Sequence, residues 1–335
     1  MDVEEIQGGT SRIRAHRADL ILGTRWHGLL LDVTSAPRRA GLAVEVTGGG
    51  RLQIRQGSAV VFLARQHAAY LYVDYLRLNG YRSVMPPIRS VETRQLGGAP
   101  AADRNMRWAY RFADLLTTSR VGPLHSSRWL LQASAPYLRY VATCGSVFKP
   151  APIADRWSEL LVDDSAGELD WYGHGGSGLV LPMRPMSRHD DARVKAYRKQ
   201  VRDGTVPPIL LWWVSSLDCY LLLDGHDRLA ACLAEVVEPP LMTLMAVVDA
   251  DEVDRRNAWS VRHHVDTVSH IEREIAKGTP GAARALVTEQ RRLADDLVTP
   301  NFGAKPTRAW MLPGGVPAWN RAAALADPVW AEHHR

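Results

Sequence analysis

Between residues 219 and 231 the chain reads Cys-Tyr-Leu-Leu-Leu-Asp-Gly-His-Asp-Arg-Leu-Ala-Ala, with the polar group Asp224-Gly225-His226-Asp227-Arg228 at its centre. These residue types suit a phosphate. A guanidinium offers a planar fork of donors, a histidine donates near neutral pH, and a glycine lets a ligand approach the main chain closely. The flanks say how they are carried. Residues 220–223 are an apolar run expected as a strand, and Leu229, Cys232, Leu233 and Val236 recur at helical spacing. A helix is therefore expected to begin at the polar group, with Asp224 at the N-cap position. Its first turn has N–H groups without partners and the positive end of the macrodipole, which attract an anion. Asp224, Gly225, His226, Asp227 and Arg228 are the expected phosphate-binding residues.

The elements around this turn carry a resemblance. Residues 191–203 read as a helix, Val206-Pro207-Pro208-Ile209-Leu210-Leu211 as a strand, 223–231 as the junction, and 240–248 as a closing strand. Over residues 181–249 the chain resembles the ParB/sulfiredoxin superfamily, in which a Gly-x-x-Arg turn contacts nucleotide phosphates. It departs from two branches. Where sulfiredoxins carry a catalytic cysteine, two places before the motif arginine, this chain has His226, so sulfinic acid reduction is not expected. Partition proteins carry a basic residue at the place of Asp227 and a helix-turn-helix behind it, and neither is present here. The Asp-Gly-His-x-Arg form is closest to the branch of kinases acting on free serine, where a second histidine is usual at the place of Asp227.

The resemblance implies a nucleotide-dependent phosphotransferase, a small-molecule kinase using ATP or ADP with Mg²⁺ on a small hydroxyl-bearing substrate. The alternative is a non-catalytic nucleotide-binding regulator or a DNA-associated ParB-like protein. In the kinase-like branch an acidic residue before the Pro-Ile strand orients or deprotonates the acceptor hydroxyl. His189-Asp190-Asp191 occupies that stretch, so Asp190, Asp191 and His226 are the catalytic candidates, with His226 and Arg228 holding the transferring phosphate. The same acids also fit a helix start with no catalytic role. Asp224 either caps its helix or helps to hold Mg²⁺. Arg193, Lys195, Arg198, Lys199 and Arg202 form a basic face, either solvated or steering a polyanion.

Composition bounds the remainder. The 335 residues suggest about two domains, and 46% hydrophobic residues supply a core. The expected fold is α+β: a mixed α/β or helical domain over 1–165, a ParB/sulfiredoxin-like nucleotide-binding domain over 179–265, and a helical extension over 266–335. A net charge of +5 is modest for this length and does not favour nucleic acid. The longest apolar runs, 207–214 and 241–248, are far short of the roughly 20 residues a bilayer requires. With an acidic start unlike a signal peptide, the expectation is a cytoplasmic protein that does not meet the membrane. Cys144, Cys219 and Cys232 are widely spaced and odd in number, against a disulfide framework or a cysteine zinc site. No metal site is expected at His263-His264 or His333-His334, because adjacent histidines point apart.

Along the chain, residues 52–54 and 58–62 are expected as a hairpin around Gly57, and 64–79, 102–116, 126–138, 270–277 and 281–297 as helices. The glycine-rich run 173–178 lacks the Lys-Ser/Thr ending of a phosphate loop and is expected as a hinge or lid. Trp310, Trp319 and Trp330 are expected to dock the tail on the body.

Overall fold

A computed structural model describes residues 13–22, 25–67, 72–134, 153–170, 178–248, 250–298 and 306–332. The strands are β1 (Arg14–Leu22), β2 (Arg25–Ser35), β3 (Leu42–Thr47), β4 (Arg51–Gln56), β5 (Ala59–Gln66), β6 (Tyr72–Arg77), β7 (Ser127–Gln132), β8 (Ala166–Asp170), β9 (Val180–Pro182), β10 (Ile209–Val214), β11 (Cys219–Asp224), β12 (Leu241–Ala246) and β13 (Ala309–Met311). The helices are α1 (Ser90–Gly97), α2 (Ala101–Thr118), α3 (Ile153–Leu160), α4 (Ala192–Arg202), α5 (His226–Ala234), α6 (Ala250–Ala276), α7 (Ala282–Val298), α8 (Gly315–Ala326) and α9 (Pro328–Glu332). The chain is α+β, in two compact units: Met1–Met245 with Pro306–Arg335, and Ala246–Lys305.

These units differ from the three domains expected over 1–165, 179–265 and 266–335. In the larger unit a seven-stranded sheet runs β1-β2-β7-β12-β10-β11-β9, so strands from both sides of residue 165 share one sheet. The last residues also return to this unit. β13 pairs in parallel with β3 at the edge of a six-stranded sheet ordered β13-β3-β4-β5-β6-β8. Trp319 is buried and its indole N–H donates to the Leu52 carbonyl at 2.9 Å. Trp330 receives the Arg65 guanidinium at 4.4 Å from its ring centre, and Trp310 donates to the Arg38 carbonyl. The tail is docked by its tryptophans, as expected.

The hairpin around Gly57 forms as β4 and β5. Two expected helices do not. Residues 64–79 instead complete β5 and form β6, and 126–132 hold β7, with 135–138 outside the described residues. Val61–Ala64 and Val73–Leu76 are nearly all buried, and pairing in the middle of a sheet outweighs the local preference of an Ala-rich stretch. The run 173–177, Cys144 and His333-His334 also lie outside the described residues. The smaller unit is a hairpin of α6 and α7, in which the Glu289 carboxylate accepts from Arg292 (2.6 Å) and lies 3.1 Å from His264 Nδ1. Helix α6 begins well before the expected residue 270. Among the described residues no helix is long and apolar enough to cross a membrane.

The strands that carry the polar turn are almost wholly buried. Every residue of β10 is buried, as is every residue of β11 before Asp224. β10 pairs with β11 antiparallel and with β12 in parallel, while β9 lies parallel to β11 on the other side. A continuous apolar run of this length fits a strand covered on both faces, which makes the end of β11 a rigid platform.

Candidate phosphate-binding cleft

β11 ends at Asp224 and α5 begins at His226, one residue after Gly225. The N-cap is Gly225, not Asp224 as expected from the sequence. Gly225 adopts φ 98°, the left-handed region, and a Cβ there would lie 2.9 Å from Ile209 Cγ2 and 3.1 Å from Ile209 Cα. Both the backbone angle and the packing against β10 therefore require glycine. Among the described residues no side chain caps the helix, so its first N–H groups keep their capacity for an external acceptor.

Asp224 is turned to other work. Its Oδ2 accepts from Arg228 at 2.6 Å and its Oδ1 from the Ser83 hydroxyl at 2.6 Å. Arg228 is buried and also donates to the Pro208 carbonyl at 3.0 Å. Burial alone would lower its pKa, but the neighbouring Asp224 raises it above the ordinary arginine value. Asp227 faces two further guanidiniums, Arg184 at 2.7 Å and Arg193 at 3.4 Å, and accepts from the Ser187 hydroxyl. Burial pushes its carboxyl up, yet the hydrogen bonds from Ser187 and Arg184 outweigh that and hold it below the usual range.

His226 is 3% exposed, and among the described residues no hydrogen-bond partner reaches its Nε2. Burial, and next the charge of Arg184, depress its pKa well below the ordinary value, so the ring is neutral at pH 7. The buried Arg228 Nε also lacks a partner among the described residues. Buried polar atoms of native proteins are almost always satisfied, so each of these two calls for a partner from outside the chain, a water, an ion or a ligand. These residues line a cleft of about 160 Å³.

The opposite wall comes from residues 81–87, which follow β6 and contribute Tyr81, Ser83, Met85 and Pro87. The Tyr81 hydroxyl donates to the Leu223 carbonyl at 2.7 Å, pinning this segment to the end of β11. Burial and then Asp224 raise the Tyr81 pKa well above the ordinary phenol value, so it remains a donor. Upstream, Arg77 of β6 donates to the Pro182 carbonyl (3.0 Å) and to Asp163, fixing β9 and the Arg184 that follows it. The remaining lining residues, Arg193 and Tyr197, stand one turn apart on one face of α4.

Of the residues expected from the sequence, Asp224, Gly225, His226, Asp227 and Arg228 all line the cleft. Asp190 and Asp191 do not. Asp190 is exposed and paired with Arg188, and Asp191 caps α4 at its backbone while its carboxylate accepts from the Arg188 amide at 3.0 Å. Their places are taken by Arg193 and Tyr197, deeper in the same helix. In the basic face, Arg198 and Arg202 converge on Glu235 and Arg193 on Asp227, so three of its five members are engaged. Arg193 and Tyr197 were within reach of an i, i+4 reading of 191–203; the 81–87 wall carried no such signal beyond Pro86-Pro87.

Magnesium fits this donor set poorly. Both oxygens of Asp224 already accept, Asp227 is held by two arginines and a serine, and among the described residues no group of three or more metal-binding side chains exists. The orphaned Nε2 and uncapped helix start fit a phosphate oxygen. No family model, curated protein or solved structure matches this chain.

Proposed function

We propose that the protein binds the phosphate end of a nucleotide in this cleft. The observation that carries the reading is His226, a buried neutral histidine whose Nε2 has no partner among the described residues and which stands in the first turn of an uncapped helix. Its neutral ring donates one N–H, and the helix start supplies main-chain donors and a favourable dipole. The ParB/sulfiredoxin-like turn supports the same reading, because that superfamily places nucleotide phosphates there. A pocket of about 160 Å³ is smaller than the roughly 300–1,000 Å³ that encloses a whole drug-sized ligand, so the nucleoside is left to the mouth beside Met85, Pro87 and Tyr197.

Phosphoryl transfer to a small hydroxyl compound is the second reading, and one contact favours it. The Ser83 hydroxyl donates to Asp224 Oδ1 inside the cleft, and an acceptor alcohol that displaces Ser83 takes over that bond to an orienting carboxylate, while Arg228 keeps the other oxygen. In this form of the kinase hypothesis Asp224 replaces Asp190 and Asp191 as the positioned carboxylate. Thermal shift and calorimetry with a panel of nucleotides, each with and without Mg²⁺, test the binding reading, since a ligand that binds only the folded state raises its stability. A panel with no shift and no heat refutes it.

A further inference from the structure

The hairpin of α6 and α7 buries one seam and leaves a second one open. Its inward side is marked on α6 by Ser260, His264 and Ile271 and on α7 by Ala282 and Glu289, all buried or half-buried, with His264 Nδ1 3.1 Å from the Glu289 carboxylate. A different series stands one residue further on. Ala258, Val261, Val265, Val268, Glu272 and Ile275 recur at alternating steps of three and four, the a/d spacing that a helix presents to a partner helix. Yet Val265 is 56% exposed and Val261 42%. On α7, Val287 follows the half-buried Leu286 and is 50% exposed. Because the two helices run in opposite directions, the same one-residue step from the inward side turns both stripes to one side of the hairpin. A contiguous apolar face of this kind marks an interaction site.

The stripe is complementary to itself. Set antiparallel against a second copy, it forms layers that pair Ala258 with Ile275, Val261 with Glu272 and Val265 with Val268, each occurring twice. The one charge in the stripe, Glu272, then lies across from Val261 and beside Arg262 of the copy. Both side chains are exposed, and among the described residues neither has an ion-pair partner within its own chain. The contact of His264 with Glu289 also sets Val287 level with the centre of this register, so the two copies of Val287 meet at the same two-fold axis. We infer that α6 pairs antiparallel with α6 of a second copy, closing two hairpins into a four-helix bundle and making the protein a dimer. This is independent of the phosphate reading of the cleft.

Sedimentation and light scattering of the full chain over a micromolar dilution series test it. The wild type should have the mass of a dimer. Val265→Asp sets an unpaired carboxylate in the central layers and should weaken the dimer at least about a hundredfold. Trp259→Gln, which alters an exposed apolar residue of α6 outside the stripe, should leave it unchanged. Glu272→Arg and Arg262→Glu should each weaken it several-fold by bringing like charges together, and the two combined should restore it, because the partner then carries the same exchange. All four positions are exposed, so the variants remain folded, and circular dichroism checks this. A monomer at every concentration, a dimer indifferent to Val265→Asp, or a combined exchange no better than its single variants overturns the inference.

Discussion

Arg228, in the first turn of α5, and Asp224, at the end of β11, form a largely buried ion pair at 2.6 Å, with side chains 4% and 14% exposed. Removing one member leaves the other charged without its partner, which costs about 3–5 kcal/mol. Arg228→Ala should therefore lose stability of that order in urea denaturation, in addition to any loss of ligand. The double variant Asp224→Ala/Arg228→Ala should be less unstable than the sum of the two single variants. Additive losses would show that the pair is not coupled.

Gly225 connects that pair to the helix start. Gly225→Ala forces a side chain into a φ of 98° and against Ile209, so it should cost about 1–3 kcal/mol, and it should abolish anion binding by shifting the first turn. A variant of wild-type stability and affinity would falsify the close-approach role of this residue.

Because the folded-state pKa of His226 is depressed by burial, and next by Arg184, the unfolded chain takes up the proton first as pH falls. The histidine's contribution to stability is therefore complete above its ordinary pKa of about 6.5 and is lost as pH falls toward the folded value. Between about pH 7.5 and 5 the wild type should lose more unfolding free energy than His226→Gln. Bound sulfate, whose charge does not change over this range, should reduce the difference by favouring the protonated ring. Parallel pH profiles for the two proteins count against a buried neutral His226.

Asp190 and Asp191 lie outside the cleft lining, so Asp190→Asn and Asp191→Asn should leave nucleotide affinity within about twofold, the range of surface changes. Should transfer to a hydroxyl compound be detected, Asp224→Asn is the substitution expected to lower turnover, by about 10²–10⁴ fold, while Asp190→Asn retains it. A large fall in Asp190→Asn or Asp191→Asn with binding intact would restore the assignment that the sequence alone suggests.

The junction at 219–231 was legible because everything that makes it is local. An apolar run, a glycine and a helical apolar period lie within about a dozen residues, and each acts on its own stretch of backbone. Strand β11, the start of α5, the β4–β5 hairpin and α2 came out where the pattern put them. The N-cap shifted from Asp224 to Gly225 because Ser83, 141 residues away, and Arg228 claim the aspartate side chain.

The cleft itself was decided by tertiary contacts. Tyr81 reaches Leu223 across 142 residues, Arg184 meets Asp227 across 43, and Arg77 fixes the chain at Pro182 across 105. The same holds for β6 and β7, where the sheet, not the local composition, chose strand over helix. Sequence patterning reports the preferences of neighbouring residues. Which distant segment closes over a helix start depends on how two sheets and their connections bury their apolar faces together, and only the folded chain records that choice.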